Sequence, residues 1–221
     1  MSSAEASDQH GPAQRRRRSD GERSRNAILN EAARLATVEG LGGLSIARLA
    51  EAVGMSKSGL FAHFGSKEEL QIATVETASA IFNERVIQPA AGASTGMGRL
   101  RLLFDGFLQH VEENVFPGGC FFASVAAELD THPGPVFDRA VQVVGEWLAR
   151  LEAAIEDAQR EGAISRAEDP SQLAFELDAY LLLANAQFVV SRQPEPLERA
   201  RRARDRRLIS AAEPTPIPAN P

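Results

Sequence analysis

The chain has little from which covalent or redox chemistry could be built. Its 221 residues include one cysteine, one tryptophan, one tyrosine and four histidines. A single cysteine, Cys120, excludes an intramolecular disulfide framework and fits a reducing compartment. His10, His63, His110 and His132 have no ligand-like spacing. Paired-cysteine and HExxH metal motifs, the GxSxG nucleophile turn and the glycine-rich phosphate loop are all absent. These absences argue against an enzyme and imply neither a metal nor another cofactor. Long hydrophobic runs are lacking too. The longest apolar stretch, Ala179 to Val190, is interrupted by Asn185 and Gln187 and falls short of the ~20 residues that cross a bilayer. No apolar segment of signal-peptide type stands at the N-terminus, so a cytoplasmic protein without membrane contact is expected.

Lysine is almost missing. Lys57 and Lys67 are the only two, and the other 22 basic residues are arginine. The net charge is −6, an unpromising sign for a partner of nucleic acid, but it is unevenly spread. Residues 1–75 carry 10 basic against 9 acidic side chains, whereas residues 76–221 carry 14 against 21. The near-neutral first part can dock on phosphate if its cations cluster, with the acidic remainder facing away.

What is present is helical. The chain is 43% hydrophobic, enough to bury a core as one or two compact domains. It shows no strand alternation and no internal repeat, so an all-α fold is expected. Met1–Asp20 is polar and without periodicity, and it reads as a disordered tail. Its basic block Arg15–Arg18 is equally a solvated segment or an arm reaching phosphates or a minor groove. A helix follows over 21–39, with Ile28, Ala32, Leu35 and Ala36 on one face, ended by Gly40, Gly42 and Gly43.

Leu44–Leu70 is the most informative segment. Ser45 can cap a short helix with Ile46, Leu49, Ala50 and Val53 at i, i+3, i+4 and i+7. Gly54 permits a tight reversal, and Ser56 can cap a second helix that turns Leu60 and Phe64 inward and Lys57, Ser58 and His63 outward. Two short helices around a glycine turn make a helix-turn-helix, whose second helix is shaped for the DNA major groove. Lys57 and Ser58 then lie nearest base edges, with Lys57 equally suited to a phosphate. Ser45 and Ser56 can hold phosphates at helix N-termini or act as caps alone. His63 and Lys67 are phosphate candidates, and Gly59 allows close approach of DNA or tight packing on the preceding helix.

Ser66 and Glu69 form a capping box that opens a connecting helix to about Val86. Pro89–Gly98 reads as a loop and domain boundary. Further helices are expected over 99–115, 119–129, 135–161, 170–192 and 196–211, before a loose proline-rich tail over 213–221. The resulting organisation is a helix-turn-helix domain over 21–70, a connecting helix over 71–88 and a second helical domain over 89–212.

With these residues laid out, the chain resembles the TetR/AcrR family of transcriptional regulators. The resemblance runs from Ala27-Ile28-Leu29 through Gly40, Ser45-Ile46-Ala47, Leu49-Ala50 and Val53-Gly54 to Leu60-Phe61-Ala62-His63-Phe64 and Lys67-Glu68-Glu69-Leu70. It covers roughly 50 residues. The segment Pro117–Ala123 and Pro133-Gly-Pro135 are similar to the regulatory domain of one subgroup. The family usually has tyrosine at the position of Phe61, where the hydroxyl meets a phosphate; Phe61 retains only apolar contacts to a thymine methyl or sugar.

The resemblance implies a three-helix DNA-binding domain, a helical ligand-binding and dimerisation domain, and a homodimer. Such a homodimer binds a palindromic double-stranded operator and is released by a small-molecule effector. Dimer contacts are then expected on the helices over 135–161 and 170–192, from Val144, Leu151, Leu177, Tyr180, Leu181, Ala184 and Phe188. The effector cavity is expected among Phe104, Phe107, His110, Cys120, Phe121, Phe122, Trp147 and Phe175. Ordinary core packing explains any single one of these aromatics as well. The arginines over 199–207 read as a solvated helix face or a cover for the acidic part of the chain. The competing reading is an interaction protein that keeps the scaffold without DNA affinity, which Phe61 and the near-neutral head leave open.

Overall fold

A computed structural model describes residues 12–129 and 133–212, and among them every regular element is helical. The elements are α1 (Pro12–Glu39), α2 (Ile46–Ala52), α3 (Lys57–Phe64), α4 (Lys67–Phe82), a π-helical turn (Asn83–Ile87), α5 (Gln88–Ala91) and α6 (Gly96–Glu112). They continue with α7 (Phe121–Leu129), α8 (Pro135–Arg160), α9 (Pro170–Ser191) and α10 (Glu195–Ala212).

α1 starts earlier than expected, with Pro12 in its first turn and Arg15–Arg18 along its backbone. Proline presets the helical φ, and the following Ala, Gln and Arg residues are strong helix formers with no breaker among them. Residues 12–20 are therefore helical rather than part of a tail. The rest of that expectation, residues 1–11, and the tail over 213–221 lie outside the described residues. Ile28, Leu29, Ala32, Ala33 and Ala36 bury the inner face of α1, and Gly40, at φ +81°, ends it in the left-handed region.

α4 belongs to both halves of the molecule, packing against α1 and α8. The Ser66 hydroxyl caps it by accepting from the Glu69 N–H at 3.1 Å. After Phe82 the chain does not loop out. It passes through the π-helical turn into α5, where Pro89 lies in the first turn, and only Gly92–Thr95 separates α5 from α6. The expected Pro89–Gly98 loop is thus about half helix, because proline costs nothing in a first turn. At Gly96 the backbone of α6 meets α8 so closely that a Cβ would lie 2.3 Å from the Ala158 nitrogen.

α6, α8 and α9 form the core of the second half, and α10 covers α9. α9 is long and apolar enough in composition to cross a bilayer. In this fold Leu173, Leu177 and Leu181 instead bury one side of it inside the protein, against the neighbouring helices.

Candidate nucleic-acid interface and an interior cavity

The head is set by its caps. The Ser45 hydroxyl accepts from the Arg48 N–H at 3.2 Å and the Ser56 hydroxyl from the Gly59 N–H at 3.1 Å, starting α2 and α3 where the sequence places them. Gly54, at φ +68°, makes the reversal between them. Leu49 and Ala50 of α2 and Leu60 and Phe64 of α3 are buried, with the Arg25 guanidinium 5.1 Å from the Phe64 ring. Ser56, Lys57, Ser58 and Phe61 are left exposed on one face of α3, and Ser45, Gly59 and His63 are half-buried.

Three details bear on what that face can do. Lys57 has no hydrogen-bond or ion-pair partner among the described residues, whereas the Lys67 ammonium donates to the Gly42 carbonyl at 2.6 Å. Arg48 is held by Glu39 and Glu51. A Cβ on Gly59 would press on its own cap, 3.1 Å from the Ser56 hydroxyl oxygen, so a requirement for tight packing on α2 is not what this position shows.

A cavity of about 100 Å3 lies in the second half, lined by Phe82, Phe107, Cys120, Phe122, Ala123, Val143, Val144, Trp147, Asp178 and Leu182. Phe107, Cys120, Phe122 and Trp147 come together there as expected. Phe104 and Phe121 are buried outside this lining, and Phe104 is covered by the Arg204 guanidinium 5.0 Å from its ring. His110 is also buried outside it, edge-on to Phe82 and Phe116, and neither ring nitrogen has a hydrogen-bond partner. Phe175 is a correction: it is 66% exposed, on the side of α9 opposite to the buried Leu173 and Leu177.

Phe82 and Asp178 were missed by sequence reasoning. The signal for Asp178 was available, since it is an acid inside the apolar run Leu177–Leu183. One of its carboxylate oxygens accepts from the Trp147 indole N–H at 2.8 Å. Burial raises its carboxyl above the ordinary value, with only the indole hydrogen bond opposing the shift. Burial likewise pushes the Cys120 thiol up to about 11, so it is a neutral wall group and not a thiolate.

Five of the seven expected dimer residues need correction. Leu151, Leu177 and Leu181 have no exposed surface, and Ala184 and Phe188 are buried as well. Val144 and Tyr180 are half-buried, and Val144 lines the cavity. The apolar side chains that α8 and α9 leave outside are Val141, Phe175, Leu182, Leu183 and Val190. The regular spacing of the leucines marks the intramolecular face of each helix, and α9 is apolar almost all round, so periodicity could not tell its two faces apart.

Two contacts tie the head to the cavity. The Glu128 carboxylate of α7 accepts from the N–H groups of Leu41 and Gly42, in the turn that follows α1. In the Gly118-Gly119-Cys120 turn, the Gly118 N–H donates to the Thr37 hydroxyl of α1, and the Cys120 N–H donates to the Asn185 amide oxygen of α9. Residues 28–74 match the family model for tetR-family bacterial regulatory proteins, and residues 96–204 match the model for a tetracyclin repressor-like C-terminal domain. Together these span more than two thirds of the chain. The HTH-type transcriptional repressor NemR of Escherichia coli K12 is 25% identical over 181 residues, covering 80% of this chain and 89% of NemR. A TetR transcriptional regulator of Chloroflexus aurantiacus superposes with a TM-score of 0.76 at 26% identity, over 88% of this chain and 94% of that one. AibR, solved in complex with isovaleryl coenzyme A and operator DNA, shares the fold with a TM-score of 0.66 at 24% identity, over 86% of this chain and 98% of AibR. The chain thus belongs to the TetR family: it is a DNA-binding regulator of transcription, not an enzyme.

Proposed function

We propose that this regulator is a cytoplasmic repressor that holds a palindromic operator as a homodimer and releases it when a small molecule fills the cavity. The observation that carries this reading is the position of Phe82. It is a wall of the cavity and the last residue of α4, whose first turn abuts the recognition helix α3. A 16-residue helix is about 24 Å long and stiff, so an occupant that displaces one end can re-aim the other. The π-helical turn immediately after Phe82 is the kind of irregularity that concentrates at functional sites.

DNA contacts are assigned to Lys57 and Ser58 at base edges, to Ser45, Ser56, His63 and Lys67 at phosphates, and to Gly59 and Phe61 by close apolar approach. The exposed stripe of Val141, Phe175, Leu182, Leu183 and Val190 is assigned to the partner subunit. Repression is the role that NemR carries in its name, and AibR was captured with both an acyl-coenzyme A and operator DNA. The test is a binding selection on randomised duplex DNA, with the affinity of the winning sequence followed against salt. A palindrome with half-sites one helical turn apart and a steep salt dependence is expected. No enrichment from a folded dimer would instead favour an interaction protein that has lost its DNA partner.

A further inference from the structure

From the aromatic lining and the single carboxylate within it, we propose that the cavity takes a compact organic cation, a protonated amine on an aryl or short alkyl group, with Asp178 as its counter-ion. This rests on the reading of the cavity as the effector site and names the class of effector. Four of the ten lining residues are aromatic: Phe82, Phe107, Phe122 and Trp147. Ring faces are electron-rich and favour a positive charge over a neutral or negative one. Asp178 and Cys120 are the only lining residues able to ionise, and the thiol stays neutral at about 11.

The carboxylate of Asp178 is underserved. Trp147 supplies its one hydrogen bond, to Oδ1, and no arginine, lysine or histidine pairs with it among the described residues. An ammonium group at the second oxygen would complete its coordination and compensate its charge in a low-dielectric site. Anions are disfavoured for a related reason, because no lining residue is cationic. Size sets a further limit. About 100 Å3 is less than the cavity known to admit benzene, so a short alkyl group fits whole, whereas a single ring is held only in part and extends out past Leu182, the exposed member of the lining.

The test uses the full-length protein and three probes with one ring and different head charges: benzylamine, benzyl alcohol and benzoate. Calorimetric titration is expected to show benzylamine binding at least ~10-fold more tightly than benzyl alcohol, with benzoate weakest. In Asp178→Asn, which keeps an oxygen for the Trp147 N–H, that preference should fall below about 3-fold. The three probes on the unaltered protein already decide the matter if the variant does not fold. Equal binding of amine and alcohol, or preference for benzoate, overturns the proposal. Operator release, followed by anisotropy of labelled DNA, separates the two readings. Tight amine binding without release sinks the effector role and leaves the ligand class standing. Release by benzyl alcohol or benzoate, with no amine binding, does the reverse.

Discussion

At the scale of single residues, Lys57 and Lys67 illustrate how packing sorts two similar side chains. Both are exposed in the head, but Lys67 is anchored on the Gly42 carbonyl and Lys57 has no partner among the described residues. Lys57→Ala is therefore expected to weaken operator binding by about 1–3 kcal/mol, with relaxed preference at one base position, whereas a uniform loss over all sequences would make it a phosphate contact. His110 supports a second prediction. Burial, helped by nearby Arg85, brings its imidazole down to about 4, below the ordinary 6.5. Above about pH 6.5 the ring is neutral in both folded and unfolded chains. As pH falls towards 4 the unfolded chain gains a proton that the folded one refuses, so stability is lost over that window, by up to about 3 kcal/mol. His110→Phe keeps a ring against Phe82 and Phe116 and removes two unpaired nitrogens. It should raise Tm by about 2–4 °C per kcal/mol gained and flatten the pH 4–6.5 slope, which melting curves across pH will read. An unchanged slope would place the acid sensitivity elsewhere. The DNA face was readable from residues because serine caps and a glycine turn fix geometry locally. The cavity was not: Phe104, Phe107 and Phe175 look alike in the chain, and only helix packing decides that one is buried, one lines the cavity and one faces out.

At the scale of elements, the connection between head and cavity lies in the turn before α7. Gly118 has no room for a side chain, since a Cβ there would sit 1.9 Å from the Thr37 carbonyl oxygen of α1. Gly119, at φ +85°, is pressed onto Asn185 of α9 in the same way, its absent Cβ 2.2 Å from the amide oxygen. Pro117-Gly-Gly-Cys120 is thus a three-way junction of α1, α7 and α9. Close approach demands glycine at 118, and close approach together with a left-handed backbone demands it at 119. Gly118→Ala must push α1 away from α7, and a cost of about 1–3 kcal/mol is expected in denaturant melts. The larger loss should be in operator affinity, because the displaced helix carries the head; a stable variant with full DNA binding would dissociate this junction from function. Element identity was mostly legible, since periodicity, capping serines and first-turn prolines mark helices directly. Boundaries failed where rules of thumb compete. Pro89 and Gly92 suggested a loop, and the arginine-rich start suggested disorder, yet both stretches contain helix. Nothing in sequence spacing announced the π-helical turn.

At the scale of the whole molecule, the question is which surfaces remain to be covered. Three of the six arginines of α10 are turned to partners in their own chain. Arg204 is buried against Phe104 and Asp105, Arg207 pairs with Glu168 and Glu176, and Arg201 reaches Glu112. These three neutralise the acidic half from within, while Arg199 and Arg202 pair with Glu195 at its surface. The outer side of α8 and α9 is different. Phe175, Leu183 and Val190 are 66%, 60% and 87% exposed on α9, where Leu182 is exposed as well, and α8 leaves Val141 exposed. Phe175 and Leu182, and Leu183 and Val190, stand seven residues apart and so share one face of α9; an exposed apolar face of this kind marks an association surface, and a four-helix bundle made by two copies would cover it. Leu182 also lines the cavity, so a partner packed there would help close it. Leu183→Glu places a charge in the stripe without touching the core. It should leave the melting of each subunit's secondary structure intact while light scattering shows monomers in place of dimers. Operator affinity should then fall by about 100-fold or more, because a lone head loses the effective concentration that its tethered twin provides. A variant that stays dimeric would move the interface to another face. One that becomes monomeric yet binds the full operator undiminished would show that pairing of the heads is not what holds this regulator on DNA.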